Sequence, residues 1–152
     1  MEIQKELLAP CGLYCGVCAI RIAHRDNNQK FKEKLAPVYG LKPEDIHCNG
    51  CLAENDADIF PFCRVCPIKS CTREKGYEGC HQCDEFPCRF IEEFPVPVGK
   101  KVILTQVPRW RELGTVEWVR QEEAKYSCPS CGNTLFRGAK RCNRCGLQVD
   151  LD

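Results

Sequence analysis

Fifteen cysteines in short, repeated spacings are the residues of this chain best suited to chemistry. Eleven of them lie between Cys11 and Cys88, and the other four lie between Cys128 and Cys145. Two thiols separated by two or three residues can turn both sulfurs toward one point, which is the geometry that a tetrahedral metal or a cubane cluster requires. The spacing therefore predicts several metal sites.

The last segment contains the most specific of these patterns. Cys128-x2-Cys131-Gly and Cys142-x2-Cys145-Gly are two knuckles separated by a hairpin-length spacer. Such a pair is the signature of a zinc ribbon. We expect Zn²⁺ here rather than the single iron that rubredoxin holds with similar knuckles. Four thiolates leave no open position on the metal, so the predicted role of this site is structural.

The eleven earlier cysteines divide most simply into groups of four, four and three. Ribbon-like spacing predicts one metal site at Cys48, Cys51, Cys63 and Cys66. A second metal site is expected at Cys71, Cys80, Cys83 and Cys88. The remaining cofactor-binding thiols are then Cys11, Cys15 and Cys18. A cysteine can also cross to a neighbouring site, as it does in two-cluster ferredoxins, so other groupings stay open.

The three-cysteine group needs either a fourth ligand of another type or an open position. His47 and His81 lie beside cysteines and are candidate ligands, although hydrogen bonding to nearby polar groups is the favoured interpretation for both. The spacing Cys11-x3-Cys15-x2-Cys18 also matches the motif of radical enzymes that use S-adenosylmethionine. The chain is too short for the barrel of those enzymes, and no glycine-rich cofactor loop follows, so this chemistry is disfavoured.

All-sulfur ligation permits either zinc or iron–sulfur clusters in the N-terminal part. The Cys11–Cys18 run and the Cys66-Pro67 pair favour clusters, whereas the paired knuckles favour zinc. We expect at least one [4Fe-4S] cluster in this part of the chain.

Composition limits the remaining possibilities. The net charge is +1, so nothing global indicates binding to nucleic acid or to an anionic membrane surface. No apolar run approaches bilayer length and Met1–Pro10 does not resemble a secretory leader, so we expect a cytoplasmic protein without a membrane partner. An odd number of thiols in a reducing compartment argues against a disulfide framework. Metal binding is therefore expected to supply much of the folding free energy.

The elements that must position the cysteines define a small metal-stabilised α+β fold. We predict a cysteine-rich metal-binding domain of short helices and metal knuckles at 1–95, a linker and helical spacer at 96–126, and a zinc ribbon at 127–152. Helices are expected after Cys18, at 30–38, at 89–94 and at 102–126, with Thr115 as an N-cap. The segment Pro95–Gly99 is the clearest linker.

The ordered series of motifs resembles the cysteine-rich domain-of-unknown-function family 3795. The resemblance covers about residues 9–95 and rests on the motifs Cys-Gly-Leu-Tyr-Cys-Gly-Val-Cys at 11–18, Cys-Asn-Gly-Cys at 48–51, Cys63-x2-Cys66-Pro-Ile-x2-Cys71, Lys75-Gly76, Cys80-x2-Cys83 and Phe86-Pro-Cys88. Arg111–Gly114, Trp118 and the ribbon resemble an extension that some members carry. The resemblance implies a metal-binding protein, found mostly in anaerobic bacteria and archaea, without an established activity.

Two classes of function fit these observations. The first is a redox or small-ligand-binding protein, whose partner would be an unknown protein or redox partner. The second is a non-catalytic multi-zinc scaffold for protein or nucleic-acid contacts. The ribbon carries a basic group with an aromatic neighbour: Phe136, Arg137, Lys140, Arg141 and Arg144. This group favours binding to nucleic acid only weakly, because a solvated surface explains it better. No hydrolase or kinase constellation is present, and the sequence leaves open whether the protein is an enzyme.

Overall fold

The computed structural model describes residues 2–152, and this part of the chain is mostly helical. Its α-helices are α1 (Ala19–Arg25), α2 (Gln29–Leu35), α3 (Pro61–Arg64), α4 (Pro67–Lys75), α5 (Arg89–Glu92), α6 (Pro97–Leu113) and α7 (Thr115–Lys125). Short 3₁₀ turns occur at Lys5–Leu7, Cys15–Val17, Ala36–Tyr39, Pro43–Asp45, Asp56–Asp58 and Cys80–Gln82. Within residues 2–152, none of the helices has the length and apolar character needed to cross a bilayer.

The β structure of the described residues is limited to two isolated antiparallel bridges. One pairs Ser127 with Thr134, and the other pairs Arg141 with Gln148. Both bridges lie in the segment predicted as a ribbon, where each flanks one pair of cysteines. The strand content expected for an α+β fold is therefore reduced to these two contacts.

The long helix α6 packs against both halves of the molecule. It begins at Pro97, where proline suits the first turn because no intrahelical hydrogen bond is needed from its nitrogen. The predicted linker Pro95–Gly99 is thus helical over most of its length, which corrects the expectation. Ile103 and Val107 are fully buried in one core, and Trp110 is fully buried in another. The predicted spacer consequently supplies the centre of the fold.

Two tryptophans and a histidine form a stack between α6, α7 and the Cys80–Gln82 turn. The Trp110 ring lies 4.3 Å from that of Trp118 and 3.8 Å from that of His81, measured between centroids. The Trp110 Nε1 donates to Thr115 Oγ1 at 2.9 Å. Thr115 is the first residue of α7, and Gly114, with φ of 76°, occupies the N-cap position. The prediction of Thr115 as the N-cap is therefore wrong.

A buried carboxylate joins the helices to the C-terminal segment. Glu122 is 1% exposed and accepts hydrogen bonds from Arg109 at 2.9 Å and from Arg137 at 3.2 Å. Arg137 also donates its backbone N–H to the carbonyl of Val17 at 2.8 Å. The predicted boundaries at 95 and 126 are thus crossed by one continuous set of contacts.

Replacement of Glu122 by alanine should destabilise the metal-loaded protein by about 3 kcal/mol, because it leaves the Arg137 guanidinium buried without its counter-charge. Denaturant unfolding at saturating metal measures this change. Glu117→Ala is the matched control, since Glu117 pairs with Arg120 at the surface of the same helix. Equal midpoints for the two variants would show that the buried network adds nothing to stability.

Candidate metal centres

The four C-terminal cysteines form a compact cluster that we call the ribbon site: Cys128, Cys131, Cys142 and Cys145. Their sulfurs all lie within 4.8 Å of one another, and two of the separations, Cys128–Cys145 and Cys131–Cys142, are 3.6 Å. Tetrahedral bonds of about 2.3 Å to one zinc would place the sulfurs about 3.8 Å apart. The donor set and its dimensions therefore fit a single metal ion.

The two halves of the ribbon site have the same backbone pattern. Gly132 N–H donates to the carbonyl of Cys128 at 2.8 Å, and Gly146 N–H donates to that of Cys142 at 3.0 Å. Both glycines have positive φ values, 73° and 77°, which favour glycine at the end of each knuckle. Backbone N–H groups of Cys145 and Arg144 lower the pKa of Cys142 to about 6. This turn geometry stabilises the thiolate form that binds metal.

A second set of thiols, which we call the inner site, packs in the apolar core that contains Ile103 and Val107 of α6: Cys11, Cys15, Cys51 and Cys66. This shared core defines the set; among the described residues, the ribbon thiols alone converge within 4.8 Å of one another. The backbone N–H of Cys51 donates to the Cys15 sulfur at 3.3 Å. Burial raises the pKa of Cys11, and the neighbouring Cys51 and Cys66 raise it further. Removing protons from these thiols requires a positive charge nearby.

Lys69 brings one positive charge to the inner site. This side chain is only 5% exposed, and its Nζ donates to the carbonyl of Cys51 at 3.3 Å. The pKa of Cys51 is lowered by the hydrogen bond from Cys15 first, and then by Lys69 and Arg73, against the effect of burial. A buried lysine is costly unless negative charge is close to it, so its position fits a cluster of thiolates.

A third set, the three-thiol site, comprises Cys18, Cys48 and Cys63, which share one apolar core. Burial raises the pKa of Cys18 while the backbone amides of Arg21 and Ile20 lower it, and Cys48 is the neighbouring thiol. Cys63 lies near both Cys18 and Cys48 and also near Cys51 of the inner site. The two sites are therefore adjacent.

The last set, the cavity site, lines an open cavity of about 410 Å³ with four thiols: Cys71, Cys80, Cys83 and Cys88. Burial raises the pKa of Cys80 to about 12, with further contributions from Cys88, Cys83 and Cys71. Arg111 of α6 donates to the carbonyls of His81 and Cys83, each at 2.8 Å. Helix α6 thus fixes the turn that presents two of the four sulfurs.

The cavity and the apolar cores distribute the thiols differently from one another. Cys71, Cys80, Cys83 and Cys88 line one cavity, whereas Cys48 and Cys63 share one apolar core and Cys51 and Cys66 share another. The grouping predicted by spacing stays a prediction. Each Cys-x2-Cys pair up to Cys66 contributes one thiol to the inner site and one to the three-thiol site. The cause lies in the local structure: Cys15 sits in a 3₁₀ turn while Cys18 caps α1, so the two do not share a helical face. A crossing of cysteines between sites, as in two-cluster ferredoxins, also stays a prediction.

Three of the cysteines share a position at the beginning of a helix. Cys18, Cys66 and Cys88 occupy the N-cap positions of α1, α4 and α5. Exposed N–H groups at such ends favour thiolates. In contrast, Lys69 and Arg111 had no signal in the sequence, because their roles depend on tertiary contacts.

Both candidate histidine ligands have other partners. His47 Nε2 lies 3.0 Å from Asp58 Oδ1, and its ring packs on His24 at 4.0 Å. The His81 ring stacks on Trp110, as described above. The interpretation as hydrogen-bonded polar residues therefore suits His47, and His81 acts as part of the aromatic core.

The basic group proposed for nucleic acid is split by the fold. Arg137 is half-buried against Tyr126 and Glu122, and the Phe136 ring packs on that of Phe31 at 4.7 Å. Lys140, Arg141 and Arg144 remain exposed. The aromatic stacking partner and one cation thus serve internal packing.

Comparison with known proteins agrees with the cysteine pattern. The model of the family described as protein of unknown function (DUF3795) matches residues 7–93. The chain belongs to this family. No curated protein and no solved structure matches it.

Changing Cys142 to serine should lower the bound metal by about one equivalent per chain, because three thiolates and a hydroxyl hold zinc poorly. Metal analysis after gel filtration measures the loss, with Ser130→Ala in the first knuckle as the control. Unchanged metal content in Cys142→Ser would contradict the assignment of the ribbon site.

Changing Arg111 to methionine should weaken metal binding at the cavity site by about 10–100-fold, as loss of an outer contact typically does. Chelator competition measures this affinity. Arg120→Met is the control, since Arg120 is exposed and pairs only with Glu117 in α7. The ribbon site should keep its metal in both variants, and loss from that site instead would contradict the role assigned to Arg111.

Proposed function

We propose that this protein carries a structural zinc ion in the ribbon site and at least one [4Fe-4S] cluster in its N-terminal part, where it serves a redox or small-ligand-binding role. The observation that supports this most directly is the contrast between two sets of four thiols. The ribbon sulfurs stand close together around one point. The cavity-site thiols instead line a space of about 410 Å³.

A single zinc ion needs no cavity, because its four sulfurs nearly touch one another around it. A cubane places four irons and four sulfides between its thiolates, so its ligands stand further apart and enclose a volume. The walls of the cavity are largely apolar and include Ile68, Phe86 and Phe90. An apolar wall limits water access and tunes the potential of a bound cluster. The cavity site therefore suits a cluster.

A charged side chain at the cavity would also change the electrostatic potential at the Cys83 sulfur. Lys75 Nζ lies 3.7 Å from the Cys83 sulfur and 2.6 Å from Glu85 Oε2. Hydrogen bonds to thiolate sulfur stabilise the more negative, reduced form of a cluster. Lys75 and Lys69 thus place one cation beside each of two sites.

The proposed inner and cavity centres would lie close enough for electrons to move between them. Helix α4 has Cys66 of the inner site at its N-cap and Cys71 of the cavity site in its second turn. Five residues of helix span about 7.5 Å. A bound cluster supplies one-electron chemistry, and this chain holds its ligands, limits water at the cavity wall and adds the two lysine charges.

Anaerobic purification with metal analysis and a visible spectrum on the same sample tests the proposal. We expect a brown protein with at least four irons and labile sulfides per chain, plus one zinc, and bleaching of the visible absorption by dithionite. Cys80→Ser should lose iron and keep the ribbon zinc. A colourless wild-type protein that contains zinc alone would overturn the cluster assignment.

A second candidate function is a multi-zinc scaffold that binds a protein partner. The observation that favours it is the exposure of apolar side chains beside the three-thiol site, where Val38, Phe62 and Val65 are 75%, 52% and 80% exposed. Three or four zinc ions per chain together with capture of a specific partner would support this function. In that case we expect a cytoplasmic protein partner, since only Lys140, Arg141 and Arg144 of the basic group on the ribbon are left exposed.

Lys69 should influence the proposed cluster in the inner site. Lys69→Met keeps the length of the side chain and removes its charge, so the reduction potential should fall, because the reduced cluster carries more negative charge. A redox titration followed by electron paramagnetic resonance measures the shift. Lys101→Met on the exposed side of α6 is the control, and equal potentials in the two variants would show that Lys69 has no electrostatic role.

A further inference from the structure

A second cavity, which we call the polar cavity, lies where the N-terminal lead, the Cys11–Cys18 loop, α1, α7 and the start of the ribbon meet. Its volume is about 500 Å³, and sites that hold small molecules measure roughly 300–1,000 Å³. It shares no lining residue with the cavity site, and among the described residues no cysteine lines it. The metal chemistry considered above therefore leaves this space without a role.

Opposite charges line the polar cavity without pairing with each other. Arg21 comes from α1 and Glu123 comes from α7. Among the described residues, Arg21 forms no ion pair, whereas Arg25, one turn later in the same helix, pairs with Asp26 at 2.8 Å. Glu123 likewise forms no ion pair there, and it accepts a hydrogen bond from the Tyr14 hydroxyl at 2.6 Å. One cation and one carboxylate thus face the same space and are both available to a ligand.

Tyr14 is held at this wall in a strained conformation. Its φ of 37° lies in the left-handed region, which is unfavourable for a bulky residue. Its ring packs on Gly16, where a Cβ atom would lie 2.5 Å from the ring, and edge-on against Trp118 at 5.7 Å. Backbone strain of this type clusters at binding and catalytic sites, because the surrounding structure must maintain it. Here the strained residue fixes the hydroxyl that orients the Glu123 carboxylate.

Part of the same wall is apolar. Leu7 and Val119 are 5% and 3% exposed, and Ile3 packs against the core that contains them. An anionic group at a guanidinium and a cationic group at a carboxylate both form charge-assisted hydrogen bonds. Hydrocarbon placed on the apolar residues would add the free energy of its removal from water. The wall therefore suits a small molecule with a negative group, a positive group and an apolar body.

From this geometry, we propose that the polar cavity binds a free α-amino acid with an apolar side chain, whose carboxylate pairs with Arg21, whose ammonium group pairs with Glu123 and whose side chain packs on Leu7 and Val119. A free amino acid carries both charges on one carbon atom. A peptide carries only one of them at each end, so it would leave one of the two protein charges unpaired. This inference goes beyond the proposed function, since it does not require metal at the N-terminal thiols.

Titration calorimetry of the full-length protein tests the proposal. The protein is titrated with L-leucine, L-methionine and L-phenylalanine, and then with the two analogues of the tightest ligand that lack either the amine or the carboxylate. For L-leucine these analogues are 4-methylpentanoate and 3-methylbutylamine. We expect one amino acid per chain, bound about 10- to 100-fold more tightly than either analogue, because each analogue leaves one charged hydrogen-bond partner unmatched. Absence of saturable binding of all three amino acids would overturn the proposal, as would an analogue that binds equally well.

Two variants separate the two ends of the ligand. Arg21→Met should weaken binding of the amino acid about 10- to 100-fold and leave the affinity for the amine analogue unchanged. Glu123→Gln should weaken the amino acid similarly and leave the affinity for the acid analogue unchanged. Glutamine keeps an acceptor for the Tyr14 hydroxyl, so the strained loop should persist. Arg120→Met is the control, because Arg120 pairs with Glu117 on α7 and does not line the cavity.

Equal weakening of all ligands by either variant would count against the assigned contacts, because it would mean that the variant changes the shape of the cavity. Metal analysis of the same samples separates this inference from the proposed function, and metal content should be equal in the variants and the wild type. An iron-free protein that binds one amino acid per chain would reject the cluster and retain this site. A protein that contains a cluster and binds none of the three amino acids would do the reverse.

Discussion

Negative charge on buried sulfur is the constraint on which this structure depends. Seven thiols of the inner and three-thiol sites lie close enough for each to raise or lower the pKa of others. As free thiolates they would repel one another in a medium where charge is poorly screened. As neutral thiols they would add only weak packing to the apolar cores that surround them. Metal ions at these thiols, as proposed, would resolve this conflict, and folding would then be coupled to metal binding.

The same constraint explains where the charged side chains lie. Lys69 is buried beside the thiols of the inner site, and Lys75 lies at the mouth of the cavity site. Away from the sulfurs, the only buried carboxylate among the described residues, Glu122, has two arginines as partners. Arg137 connects that carboxylate to the backbone of the Cys11–Cys18 loop. The ribbon is thus held against the N-terminal part by charge pairing as well as by apolar contact.

Spacing predicted the parts of the structure that depend on neighbouring residues. The ribbon cluster and the helical character of residues after 96 follow from short-range patterns, and the family assignment follows from the order of the motifs. The division of the thiols between sites could not be predicted, because it depends on where α1 and α4 begin and on the turn at Cys15–Val17. The roles of Trp110 and Arg111 could likewise not be predicted, because they depend on contacts with residues distant in the sequence.

Sharing each knuckle between two sites has a mechanical consequence. If Cys15, Cys51 and Cys66 hold one metal centre and Cys18, Cys48 and Cys63 hold its neighbour, three separate backbone connections of three residues each join the two centres. A movement of one centre on ligand binding or reduction is then transmitted to the other through rigid turns rather than through a flexible loop. Helix α4 extends this coupling to the cavity site, because Cys66 and Cys71 lie on one short helix. If the proposed centres are present, a movement at the three-thiol site would thus reach the cavity site through short turns and one helix.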